Sequence, residues 1–168
     1  VVPASLAVAE DRAADGRQLL AAIALGDDIF CRLGLATRLN SGWFYTSVYG
    51  PIASAALAAK VLGASPAQTA NAMGLGYLSS SGTQQPAVEA SVGKRMQGAF
   101  AAAAGVTAAY LANRDLHGPR EIVEGRFGFL HGYTDGSHLA GLAGTGVPEL
   151  MQTGVKPHAC CRYAQGPI

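Results

Sequence analysis

The sequence predicts a mainly α-helical fold. Apolar residues recur at helical spacing, residues that favour helix starts precede several of these segments, and alanine dominates the longest uncharged stretch. Near the C-terminus the pattern changes: Glu149–Ala159 alternates loosely between apolar and polar residues, which predicts a strand that ends at Pro157. We therefore expect a helical domain over residues 1–147 and the start of a second domain over residues 148–168.

The first two helices are predicted from the residues at their starts. Pro3 suits the first turn of a helix, because the N–H that proline lacks would be unpaired there. Asp15 is predicted to be the N-cap of a second helix over about Gly16–Leu39. Gly26 and Gly34 lie inside this helix, where each costs about 1 kcal/mol relative to alanine. We expect these glycines to let another helix approach closely.

The middle of the chain alternates loops and helices. Asn40–Tyr49 is predicted to be a polar and aromatic loop, followed by a helix over Gly50–Gly63. Ser65, with proline directly after it, predicts the next helix start, and that helix continues to about Tyr77. Ser79–Pro86 is predicted to be a loop.

Ser91–Asn113 predicts the longest alanine-rich helix, and we expect it to be the central helix, packed on every side. Lys94 and Arg95 stand at its start, where cations are mildly unfavourable because the helix dipole is positive there. A bound anion would offset that cost. The pair is therefore either an anion-binding feature or a solvated helix start.

The segments after this helix are shorter. Gly118-Pro119 predicts a short helix that continues through Val123, and Phe127–Tyr133 is aromatic and rich in turn residues. A glycine-rich segment, Gly136–Gly146, then leads to the predicted domain boundary near residue 147.

Composition restricts the classes of function. Charged residues make up 14% of the chain, against about 25% in a typical protein. We expect part of the surface to be covered by a partner subunit or by more of the same polypeptide. The net charge of +1 argues against nucleic-acid binding. The longest uncharged apolar stretch, Gly98–Ala112, is shorter than the roughly 18 to 20 residues of a membrane span, so we expect a soluble protein without membrane association.

Three cysteines form no disulfide pattern, which indicates a reducing compartment such as the cytoplasm. His158, Cys160 and Cys161 fit no standard zinc spacing, and we predict no metal site. Gly74-Leu75-Gly76 lacks the third glycine of a dinucleotide fingerprint and is interpreted as a helix end. The chain has no initiator methionine, and we expect it to be a fragment of a longer protein.

Several segments resemble the MmgE/PrpD family in this order and spacing. They are Ser91–Ala104 (SVGKRMQGAFAAAA), Glu124–Leu130 (EGRFGFL) and Lys156–Ile168 (KPHACCRYAQGPI), and Val1–Glu10 and Gly42–Gly63 are similar too. The resemblance covers essentially the whole chain. It implies an all-helical domain followed by an α+β lid domain, of which this chain would hold only the first strand, usually in a homodimer with the site in the cleft between the domains.

The resemblance also implies an activity. Members such as 2-methylcitrate dehydratase, cis-aconitate decarboxylase and iminodisuccinate epimerase act on small di- or tricarboxylic acids and need no metal or organic cofactor. The expected function is therefore that of a cofactor-independent lyase or isomerase that removes an α-proton from such an acid. The alternative is a non-catalytic helical module for dimerisation or binding, an inactive part of such an enzyme.

Site residues follow from the same resemblance. Lys94 matches the active-site lysine of the family, and the cation would stabilise the enolate-like charge that forms when the proton leaves. Substrate-binding roles are implied for five further residues: Gln84, Arg95, Gln97, Arg162 and Gln165. Where many dehydratase- and decarboxylase-like members have histidine, this chain has Phe44, Gln97 and Gln165. Glutamine orients a carboxylate but does not transfer protons, so an epimerisation or another isomerase or lyase reaction becomes more credible.

Overall fold

The computed structural model describes residues 1–39, 42–137, 140–143, 146–161 and 164–166. Within these residues the fold is mainly helical, as predicted. The longer helices are α1 (Val2–Asp11), α2 (Gly16–Ala36), α3 (Tyr45–Val61), α4 (Pro66–Tyr77) and α6 (Gly93–Ala112). Four short elements complete the helical part: α5 (Gln85–Val88), α7 (Phe129–Tyr133), α8 (Ala140–Ala143) and a 3-10 helix (Glu149–Gln152).

The central helix of the fold is α3. Every residue from Ser47 to Ala59 is buried, and α3 contacts α1, α2, α4 and α6. The prediction that α6 would be packed on every side was wrong: α6 buries one face, while Phe100 and Leu111 are 66% and 42% exposed. Alanine content did not distinguish the two helices, because both are rich in small residues.

Helices α3 and α6 lie side by side in parallel. Gly50 approaches Ala101, and Gly105 approaches Pro51 and Ser54 further along both helices. A Cβ added at Gly105 would lie 2.5 Å from the Pro51 carbonyl oxygen, so only glycine fits there. Parallel packing brings the N-terminal ends of α3 and α6 to the same end of the bundle.

The predicted helix caps are present. Asp15 and Gln18 form a capping box at the start of α2, and Ser65 and Gln68 form another at the start of α4. As expected of a glycine at a close helix contact, a Cβ at Gly26 would lie 2.6 Å from the Leu57 side chain of α3.

Helix α2 ends at Ala36, before the predicted end at Leu39. The chain then forms strand β1 (Thr37–Leu39), which pairs antiparallel with β2 (Thr134–Ser137). The Thr37 hydroxyl lies 2.5 Å from the Leu33 carbonyl and 2.8 Å from the Tyr49 hydroxyl, so it joins the end of α2 to α3. This pairing joins segments about a hundred residues apart, which periodicity alone does not reveal.

Two predicted helix starts were wrong. Helix α3 begins at Tyr45, so Pro51 lies inside the helix and the predicted loop over Asn40–Tyr49 is shorter. Residues Gly118–Val123 form no helix, because this segment crosses α4 with its backbone in close contact: a Cβ at Gly118 would lie 2.4 Å from the Asn71 carbonyl oxygen. The glycines of Gly74-Leu75-Gly76 permit close approach as well, near the end of α4.

The predicted strand over Glu149–Ala159 was wrong for the described residues. Glu149–Gln152 is a 3-10 helix, and no strand follows it among residues 153–161. The Glu149 N–H donates to an Asp28 carboxylate oxygen over 2.6 Å, which holds this turn on α2. A strand also needs a neighbouring strand to pair its N–H and C=O groups, and none of the described residues supplies one here.

Candidate functional site

An open cleft of about 370 Å³ lies at the N-terminal ends of α3 and α6. Its polar side is formed by two helical residues, Ser47 and Gln97, and by the loop that follows α4. Its apolar side is formed by Phe100, Ala101 and Ala104 of α6. Because α3 and α6 are parallel, the positive ends of both helix dipoles lie at this cleft.

Backbone hydrogen bonds between two loops shape the cleft. Trp43 and Thr83 form an isolated β-bridge, and the Phe44 N–H donates to the Gly82 carbonyl over 3.0 Å. The Gln84 N–H donates to the Gly42 carbonyl over 2.7 Å. The segment before α3 is therefore tied to the segment after α4.

Gln97 joins three parts of the site. Its Oε1 accepts a hydrogen bond from the Ser47 hydroxyl over 2.9 Å, and its Nε2 donates to the Thr83 carbonyl over 2.9 Å. Ser47 is 4% exposed, so this hydrogen bond lies at the buried floor of the cleft. Of the predicted site residues that the structure describes, Gln97 is the one that lines the cleft.

Gly82 makes room for this arrangement. Its φ of +113° lies in the region that glycine favours, and an added Cβ would lie 2.7 Å from Ser47 Cβ and 3.1 Å from Gln97 Oε1. Any side chain here would displace both polar groups from the cleft floor.

Lys94 and Arg95 lie in the first turn of α6, and both side chains are exposed. Lys94 precedes Gln97 by three residues and Ala101 by seven, so it lies on the same row of the helix as these cleft residues. Arg95 is turned about 100° around the helix from Lys94. Lys94 thus shares a helix row with two cleft residues, whereas neither Lys94 nor Arg95 is among the residues that line the cleft.

The remaining predicted site residues that the structure describes do not line the cleft. Gln84 donates through Nε2 to the Trp43 carbonyl over 3.4 Å, so it supports the loop. The Gln165 side chain forms hydrogen bonds with backbone groups of His158 and Cys160 in the same C-terminal segment, and it lies near Lys156. Arg162 lies outside the described residues. The binding roles of these residues stay predictions.

A tyrosine supports the cleft loop from behind. The Tyr133 hydroxyl donates to the Ser80 carbonyl, and the Tyr133 ring packs edge-on against Trp43 with centroids 5.0 Å apart. Burial raises the pKa of Tyr133 above its ordinary value, so it remains a hydrogen-bond donor at neutral pH. Tyr133 therefore contacts both the loop before α3, through Trp43, and the loop after α4, through Ser80.

The described residues hold no cluster of three or more His, Cys, Asp or Glu side chains suited to a metal ion. A second cavity, of about 200 Å³, is lined mainly by apolar side chains, including Leu33 of α2, Ile52 of α3 and Phe129 of α7. Within the same ranges, none of the helices combines the length and hydropathy that crossing a membrane requires.

Sequence reasoning missed Ser47 and Gly82. The sequence places Ser47 in the predicted loop because Pro51 is typical of a helix start, whereas α3 begins at Tyr45 and Ser47 lies in its first turn. Gly82 lies in a loop that the sequence did predict, but nothing local indicates its contact with Gln97. Both contacts join residues far apart in the chain.

The profile of the MmgE/PrpD N-terminal domain matches residues 1–141. The chain belongs to the MmgE/PrpD family. A cis-aconitate decarboxylase-like protein, oryM, of Aspergillus oryzae is 32% identical over 169 aligned residues, which cover 91% of this chain and 34% of that protein. A cis-aconitate decarboxylase of Aspergillus terreus is 30% identical over 189 aligned residues, which cover 100% of this chain and 38% of that protein. The chain thus spans little more than a third of the length of these MmgE/PrpD relatives.

Proposed function

We propose that the full-length protein is a cofactor-independent lyase or isomerase that acts on a small di- or tricarboxylic acid by removing an α-proton. The observation that carries this proposal is the position of Lys94 and Gln97 on one row of α6, at a cleft where two parallel helices begin. Two positive helix ends and a lysine favour an anionic ligand. The relatives named for cis-aconitate, a tricarboxylic acid, support the same class of substrate.

In this proposal Lys94 is the catalytic residue. Its ammonium group contacts a substrate carboxylate and stabilises the negative charge that develops when the α-proton leaves. Arg95, Gln84, Arg162 and Gln165 are proposed to bind substrate, together with Gln97, when the lid closes.

Substitution of Lys94 tests the catalytic proposal. Lys94→Ala in the full-length protein should lower turnover of the preferred acid by at least about 100-fold, a typical cost of removing one group that stabilises transition-state charge. The panel of substrates is citrate, 2-methylcitrate, cis-aconitate and aspartate-like acids. Lys60→Ala is the matched control, because Lys60 lies in the last turn of α3, at the opposite end from the cleft. Near-normal turnover in Lys94→Ala would contradict the assignment.

A second candidate function is a non-catalytic dimerisation or binding module. It is favoured by three apolar side chains along α6, Met96, Phe100 and Leu111, which are 44%, 66% and 42% exposed, with Phe100 at the edge of the cleft. Such a row of exposed apolar side chains is typical of an interaction surface. We propose a homodimer in either case. A cytoplasmic location agrees with three cysteines that form no disulfide among themselves.

The two functions give different results in solution. A carboxylate that raises the melting temperature of the unsubstituted protein but not of Lys94→Ala favours the enzyme. A dimer without any response to these acids favours the module. Leu111→Glu should convert the dimer to a monomer in size-exclusion chromatography, whereas Leu20→Glu, on the exposed side of α2, should not.

A further inference from the structure

Ser47 and Gln97 present different hydrogen-bonding groups to the cleft. The Ser47 hydroxyl donates to Gln97 Oε1, and Gln97 Nε2 donates to the Thr83 carbonyl. If the Gln97 amide were turned over, its oxygen would face the Thr83 carbonyl oxygen, and the two would repel. The orientation of the amide is therefore fixed.

This arrangement limits what each group can offer a ligand. A serine hydroxyl has one proton and two lone pairs, and the Ser47 proton is already used in the bond to Gln97. Ser47 Oγ therefore serves a ligand as an acceptor. Gln97 keeps one free N–H, since the other is held by Thr83, and this N–H suits a carboxylate oxygen.

The other polar groups of the cleft are less fixed. Ser79 and Ser81 also line it, but both residues are exposed, and the Ser81 hydroxyl donates to the Ser79 carbonyl over a longer 3.4 Å. Phe100 and the alanines of the opposite wall offer no side-chain hydrogen bond. Ser47 Oγ is thus a buried hydrogen-bond acceptor whose orientation is fixed by its bond to Gln97.

We propose that Ser47 is a specificity-determining residue that selects carboxylic acids carrying a hydroxyl group. A substrate carboxylate oxygen accepts from the free Gln97 N–H, and the substrate hydroxyl donates to Ser47 Oγ. When a bound acid lacks the hydroxyl, the buried Ser47 Oγ receives no hydrogen bond from the ligand, and the acid binds more weakly. The inference rests on the proposed function, because it assumes that a carboxylate occupies the cleft.

Citrate and tricarballylate provide the test, because they share three carboxylates and tricarballylate lacks the hydroxyl. Their affinities for the full-length protein are measured by isothermal titration calorimetry. Citrate should bind about tenfold more tightly, the effect of one hydrogen bond in a partly open site. In Ser47→Ala the ratio of the two dissociation constants should fall to about one, while the affinity for tricarballylate changes little. That retained affinity also shows that the variant is folded.

Ser54→Ala is the matched control. It is the same substitution on the same helix, two turns further on, at a buried residue that packs against Gly105 outside the cleft. It should keep the preference for citrate. Ser47→Cys, which retains the shape with a weaker acceptor, should show an intermediate ratio.

The outcomes separate the two proposals. Equal affinities for the two acids in the unsubstituted protein, or a preference that persists in Ser47→Ala, would overturn the role of Ser47 while leaving carboxylate binding intact. If neither acid binds, the selection by Ser47 fails; the proposed function fails as well only if no acid of the wider panel is turned over.

Discussion

Gly105 of α6 lies directly against the backbone of Pro51 in α3. A Cβ at Gly105 would be 2.5 Å from the Pro51 carbonyl oxygen and 2.5 Å from Ser54 Cβ. The two helices can therefore approach this closely because Gly105 has no side chain. Since both helices begin at the cleft, the same contact also determines how far apart Ser47 and Gln97 lie.

Gly105→Ala should lower the free energy of unfolding by about 1–3 kcal/mol, because the added methyl group meets backbone that cannot move aside. Gly98→Ala, on the same helix, is the matched control: its Cβ would meet Thr46 at an ordinary 3.6 Å. Alanine is the better helix former, so this variant should be up to about 1 kcal/mol more stable. Urea denaturation measures both, and equal effects would contradict the contact described above.

Gly82→Ala should abolish carboxylate binding with only a modest loss of stability. The new Cβ would displace Ser47 and Gln97, and the positive φ adds a strain of about 1–3 kcal/mol. Gly63→Ala is the control, because Gly63 has a φ of +69° with open space around it, after the end of α3. It should lose stability but keep the thermal shift with citrate. Binding retained by Gly82→Ala would show that the cleft floor is not the ligand site.

Asp28 should make the turn at Glu149 sensitive to acid. The hydrogen bond from Arg32 holds the pKa of Asp28 below its ordinary value, and the Glu149 N–H contributes in the same direction. A carboxyl whose folded pKa is lowered adds stability above its unfolded pKa of about 4, and this is lost as the pH falls through the folded pKa. Hydrogen exchange at the Glu149 amide, relative to the intrinsic rate at each pH, should therefore lose protection in acid.

Asp28→Ala removes the acceptor of the Glu149 N–H and should lose most of this protection already at neutral pH. Asp27→Ala is the control for that experiment. Burial raises the pKa of Asp27. The contribution of Asp27 to stability is therefore largest when its carboxyl is protonated, which is the opposite pH dependence to that of Asp28. The neighbouring substitution should leave the Glu149 amide protected. Equal loss in both variants would show that the turn is not held by Asp28.

Tyr133→Phe should loosen the loop after α4. The variant removes the hydrogen bond to the Ser80 carbonyl but keeps the ring against Trp43. Faster exchange of the Phe44 and Gln84 amides is expected, because these amides hold the two loops together, with a weaker thermal shift from bound citrate. Tyr77→Phe removes a hydroxyl that bonds Phe127 instead, and should leave those two amides unchanged.

Local chemistry in the sequence was sufficient to predict most helices. Asp15 and Ser65 are helix caps because their side chains bond an amide three residues away, and such contacts are visible in the sequence. Pro51 is misleading, because proline usually marks a helix start. In this fold α3 contains Pro51 inside the helix. Gly118 failed as a helix start because Asn71 and Gly74, far away in sequence, hold it against α4.

The candidate site was predictable only in part. Gln97 follows Lys94 by three residues, so their shared row on α6 can be deduced from helical spacing. The bond between Ser47 and Gln97 spans 50 residues and depends on the parallel packing of α3 and α6. No periodicity contains that information. The two-stranded pairing of β1 and β2 was missed for the same physical reason.

Helix α3 has no surface of its own between Ser47 and Ala59. A larger side chain there cannot extend into solvent. An increase in side-chain volume at one position must therefore be matched by a decrease on a facing helix. Gly50 and Ala101 form such a pair, since a Cβ at Gly50 would lie 3.0 Å from that of Ala101. Exchanging the two residues would conserve the total volume at this crossing. The geometry of the cleft therefore depends on the combined size of residues at this crossing, one of which, Ala101, also lines the cleft.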